Sequence, residues 1–157
     1  KDPTDYAARS EVMWTGTIAH NDLLGTGREG DWGSHSIEHE ISAIYDIAHG
    51  AGLSIVFPAW MKYVYRHDVA RFARFAVRVW DVEDNFENPE VTALEGIRRM
   101  EVFFKSIGLP VRLSDLQLPL ERIDEMAAKA TEKGRGTTGK FMKLDAKAVR
   151  EILLLAK

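Results

Sequence analysis

The chain has no cysteine. That removes a disulfide framework, a cysteine-ligated metal and a thiol nucleophile together, and it fits a reducing compartment. No apolar run approaches the ~20 residues needed to cross a bilayer. The opening Lys1-Asp2-Pro3-Thr4 is charged and polar, unlike a signal peptide. The net charge is −3, so no basic field invites nucleic acid or an anionic membrane. No GxGxxG or P-loop pattern is present, so nothing is built to cradle a pyrophosphate. There is no nucleophile elbow. The HExxH pattern is also missing, because Ala43 stands where a second histidine would follow His39-Glu40. Hydrolase chemistry therefore lacks support. Strand signals are nearly absent, and there is no internal repeat or low-complexity tract.

What remains is an ordinary globular composition, 45% hydrophobic and 29% charged over 157 residues, enough for one domain. Helical signals fill it. Apolar residues from Thr4 to Leu24 fall at helical spacing among small residues, which predicts a helix packed closely on neighbours. Asp2 is its expected N-cap, with Pro3 at the first helical position. Gly25–Gly33 is a glycine-rich loop. Ser34 is the expected cap of a second helix reaching Ile47, broken at His49-Gly50. The stretch Ala51–Arg66 is apolar nearly all round, the mark of a buried helix, with Pro58 expected to kink or shift it. Asp68–Trp80 is amphipathic. Asn88-Pro89-Glu90 starts a helix that Gly108 ends. Further helices are expected over Leu120–Lys133 and from Asp145 to the end, with a Gly/Thr/Lys/Arg loop over Gly134–Lys143. The sum is about seven helices, an all-α multi-helix bundle.

The chemistry-bearing residues are histidines. His35, His39 and His49 fall in one short stretch; His20 and His67 lie apart. His35 and His39, four apart, share a helical face. His49 follows His35 by 14 residues, about 21 Å on a straight helix. That is too far for two ligands of one ion with bonds of about 2 Å. The chain must turn if they are to meet, and His49-Gly50 offers a turn. Spacing alone equally allows a solvated polar face. Asp31, Glu38, Glu40 and Asp46 are nearby carboxylates without a decisive spacing. His20 is expected to be a hydrogen-bonded core residue and His67 to be exposed.

The run Gly30-Asp31-Trp32-Gly33-Ser34-His35, then Ile37-Glu38-His39-Glu40, Ala43-Ile44-Tyr45-Asp46 and Ala48-His49-Gly50-Ala51-Gly52-Leu53, resembles the signature of the iron-containing (group III) alcohol dehydrogenases. Asp31-Trp32 and Phe57-Pro58-Ala59-Trp60-Met61 are similar to the butanol-dehydrogenase branch. The likeness extends through Met13-Trp14, Ala19-His20-Asn21, Gly108-Leu109-Pro110 and Leu113-Ser114-Asp115.

The resemblance implies that residues 1–157 form a dehydroquinate-synthase-like C-terminal metal-binding domain. His35 and His49 match two metal ligands. His39 matches a histidine beside metal and nicotinamide that handles substrate or proton. Trp32 and the Gly134–Lys143 loop flank the substrate entrance. The implied cofactors are a divalent metal (iron or zinc, with nickel or manganese also compatible) and NAD or NADP. The implied substrates are primary alcohols such as butanol and their aldehydes, in a cytoplasmic homodimer. The family's other two ligands form an Asp-x3-His pair on an earlier helix. No such pair precedes the signature here, so that pair and the nucleotide-binding domain are expected upstream of Lys1. The segment by itself is then expected to bind metal poorly and to lack activity. The rival expectation is a helical interaction or regulatory module without chemistry, in which the histidines are dispersed or packed away.

Overall fold

The computed structural model describes residues 2–157, and these hold seven α-helices: α1 (Tyr6–His20), α2 (Gly33–Tyr45), α3 (His49–Val64), α4 (Val69–Trp80), α5 (Pro89–Ser106), α6 (Ile123–Ala130) and α7 (Ala146–Leu155). Short 3-10 turns lie at Leu23–Gly25, Tyr65–His67 and Leu113–Leu116. Among the described residues the only β pairing is an isolated bridge between Thr138 and Leu144. No described helix is long and apolar enough to cross a membrane.

The chain divides into two compact units, Lys1–Gly30 and Asp31–Lys157. The first contains α1 and one 3-10 turn. Asp5, not Asp2, caps α1 by accepting from Ala8 N–H at 3.0 Å. Asp2 lies four residues before the helix and instead accepts from the backbone N–H and hydroxyl of Thr4. No residue of α1 is buried, and His20 is exposed, contrary to the expected close packing and core histidine. Small residues at helical spacing permit close packing but do not supply the apolar area that drives it.

The second unit is built around α3, which packs on α2, α5 and α7. α4 pairs with α5, and α6 lies against α2 and α7. Ile37 and Ile41 of α2, Ile55, Val56 and Val64 of α3, Ile97 of α5 and Val149 and Leu153 of α7 are fully buried. α3 runs through Pro58 without a break, as a nearly all-apolar helix in the core. Gly96 of α5 lets α4 approach closely: a Cβ there would stand 2.8 Å from Ala76 Cα. Asp68 and Asp145 cap α4 and α7 by accepting from Arg71 and Ala148 N–H.

Three other boundaries differ from expectation. α2 is not capped by Ser34, which lies buried inside its first turn. Asp31 takes that role, accepting from Gly33 N–H at 2.9 Å. Trp32 stands between them in the left-handed region, φ 60°. The break after α2 lies at Asp46–Ala48, with Asp46 also left-handed, so His49 opens α3 instead of closing α2. α6 starts at Ile123 and stops at Ala130, shorter than Leu120–Lys133 at both ends.

Candidate metal and substrate site

Residues 34, 37, 38 and 41 recur at i, i+3, i+4 and i+7 and form the buried face of α2. His35 and His39 lie beside that stripe, half-buried and exposed respectively. The turn at Asp46–Ala48 reverses the chain, so His49 in the first turn of α3 returns to α2. The ring centres of His35 and His49 are 5.5 Å apart, those of His39 and His49 5.2 Å, and those of His35 and His39 6.4 Å. Two imidazoles on one tetrahedral ion with bonds of about 2 Å place their ring centres roughly 5 Å apart. The separations of His49 from His35 and from His39 are of that scale, while His35 and His39 stand farther apart. Burial, then the neighbouring His49 and His39, push His35 below the ordinary histidine range, and Glu38 only partly opposes them. A neutral imidazole is the form that binds metal.

A carboxyl group completes the cluster. Glu38 is fully buried, and Glu38, His39 and His49 each offer a ligand atom within 4.8 Å of one another. Glu38 Oε2 contacts His49 Nδ1, and Oε1 accepts from Ser42 Oγ. Gly52 of α3 makes the room, since a Cβ there would lie 2.7 Å from Glu38 Cγ and 2.8 Å from Cδ. The signal for Glu38 is present in the sequence, because it falls on the same stripe as Ile37 and Ile41.

On the other side of His35, the Trp32 ring stands edge-on at 4.8 Å while remaining 64% exposed. Phe57 is edge-on at 5.9 Å. Asp31 fixes this corner: besides Gly33, it accepts from the backbone N–H of Lys140 at 2.6 Å and of Phe141 at 2.7 Å. The segment after Gly139 is thereby tied to the start of α2. Phe141 packs its ring on Trp60, Phe72 and His67. His67 is exposed, as expected, and is not part of the histidine cluster.

The family model of the C-terminal part of the Fe-containing alcohol dehydrogenases matches residues 1–156. The chain belongs to the iron-containing alcohol dehydrogenase family. It is 43% identical over 152 residues to a probable NADH-dependent butanol dehydrogenase of Bacillus subtilis, covering 97% of this chain and 39% of that protein. The crystal structure of NADH-dependent butanol dehydrogenase A from Thermotoga maritima superposes with a TM-score of 0.90 at 44% identity, over 99% of this chain and 40% of that one. The aldehyde reductase YqhD of Escherichia coli superposes with a TM-score of 0.92 at 29% identity, over the same shares. The chain thus spans about two fifths of the length of these relatives of the iron-containing family. The all-α class matches their C-terminal part.

Proposed function

We propose that this chain is the metal-binding helical part of an NAD(P)-dependent alcohol dehydrogenase or aldehyde reductase acting on primary alcohols such as butanol and their aldehydes. The observation that carries the reading is the convergence of three histidines from two helices, His35, His39 and His49, beside a buried carboxyl group. An interaction module without chemistry has no need to gather them. The relatives named for NADH- or NADPH-dependent alcohol and aldehyde chemistry support the reading.

His35 and His49 would hold a divalent ion, iron or zinc, with nickel and manganese compatible with the same donors. Two histidines are half of a ligand set, so the remaining ligands, like the dinucleotide site, come from sequence outside this chain. When bound, the ion supplies Lewis acidity at the substrate oxygen, and the nicotinamide gives or takes the hydride. His39 acts as the proton carrier: it accepts the alcohol proton during oxidation and returns one during reduction. Its exposed ring suits exchange with solvent. Trp32 and the Asp31-tethered segment at 139–141 wall the substrate side of His35.

A chimera tests this directly. This chain would replace the matching C-terminal portion of the Bacillus subtilis relative. Metal-dependent, NADH-linked reduction of butyraldehyde is expected from the chimera and none from the 157-residue chain alone. His39→Ala should slow turnover by 10²-fold or more, on the order expected for losing a general acid–base group. Activity in the isolated chain, or full turnover in His39→Ala, would overturn the assignment.

A further inference from the structure

We infer that Glu38 is a positioning residue that holds His49 as its Nδ1–H tautomer, leaving Nε2 as the free, ligating nitrogen. The inference deepens the metal reading above and rests on it for its functional meaning. The geometry behind it is independent of any ion.

Glu38 is fully buried, and both its oxygens are engaged, Oε1 by Ser42 Oγ and Oε2 by His49 Nδ1. Gly52 closes the pocket against its Cγ and Cδ. An ionised carboxylate can only accept hydrogen bonds. A neutral imidazole carries one N–H and one lone pair, so contact with the carboxylate requires the proton on Nδ1. The alternative, lone pair against lone pair, leaves a buried acceptor without a donor, which is unfavourable. The ring orientation and the tautomer are therefore set from behind, by the carboxyl of Glu38. Carboxylate support of this kind behind a ligating histidine typically changes metal affinity by about 10–100-fold. Glu38, His39 and His49 each place a donor atom within 4.8 Å of one another, so direct ligation by the carboxyl is the competing arrangement. The contact of Oε2 with Nδ1 favours support over ligation by that oxygen.

Long-range ¹H–¹⁵N correlation spectra of the metal-free 157-residue chain, at roughly pH 8 where an ordinary histidine of pKa about 6.5 is neutral, read the tautomer. His49 is expected to show a protonated, pyrrole-type Nδ1 and a pyridine-type Nε2. Glu38→Gln, whose side-chain carbonyl still accepts, should keep that pattern. Glu38→Leu should release His49 toward the Nε2–H form. A pyridine-type Nδ1 in the unsubstituted chain would overturn the inference, even if Glu38→Leu failed to fold. An unchanged tautomer in a folded Glu38→Leu would overturn it as well. Because the tautomer is read without metal, failure of the ion reading would leave it standing, and the reverse also holds.

Discussion

α1 and the α2–α3 pair start from the same kind of sequence signal and end in opposite environments. Both are helical stretches with aromatic and aliphatic residues. In α1 every residue is at least partly exposed, with Tyr6 at 84% and Trp14 at 64%. In α2 and α3, Ile37, Ile41, Ile55 and even Glu38 have no exposure at all. Periodicity establishes that a helix has a face. Burial depends on what apolar surface meets that face. Glu38, the anchor of the titratable cluster, sits where burial is complete, while the histidines around it stay half-buried or exposed.

Substitutions can break this contrast. The largest loss is expected from Ile41→Ala or Ile55→Ala, about 3–4 kcal/mol, since each opens a cavity in the core. Chemical denaturation of the chain measures it. A smaller loss, about 1–3 kcal/mol, is expected for Gly52→Ala, whose methyl would have to displace Glu38. In the spectra described above it should also disturb His49, a response that a core cavity far from the site would not produce.

A pH scan probes a third part of the packed unit. Burial raises the Glu101 carboxyl, but hydrogen bonds from Arg112 at 2.5 Å and Lys62 at 2.7 Å outweigh it and hold the group below its ordinary value. A carboxyl depressed in the folded state contributes stability above its unfolded pKa and loses it as pH falls through the folded pKa. Unfolding free energy should therefore drop as the pH goes below about 4.3. Glu101→Gln should be less stable by about 1–2 kcal/mol at neutral pH and show less of that acid loss. Equal acid slopes in the two proteins would refute the pairing. The smallest effect is expected in α1: Trp14→Ala in this chain should change stability by less than about 0.5 kcal/mol.

Much of this was readable from the residues. Asp145 looks like the cap of the last helix and is its cap. The all-apolar run of α3 reads as core and is core. Asn88-Pro89 opens α5, with Pro89 as its first residue. What was not readable has local physical causes. Ser34 has the chemistry of a cap, yet Asp31 reaches Gly33 N–H from two residues before the helix and leaves Ser34 to be buried. His49-Gly50 looks like a stop because glycine ends helices. Here the reversal uses Asp46 in a left-handed conformation, and the nearby Gly52 serves the approach of α3 to Glu38. Glu38 itself, flanked by histidines and followed by Glu40, resembles a solvated face. Only its place on the Ile37–Ile41 stripe marks it as buried.

The most direct test of the site is the metal content of the chimera and of its three single-histidine variants, measured by elemental analysis after extensive dialysis. His35→Ala and His49→Ala should retain little or no bound metal. His39→Ala should retain nearly the unsubstituted amount while turning over slowly. Equal metal content in all three would contradict the division of roles between His35, His49 and His39.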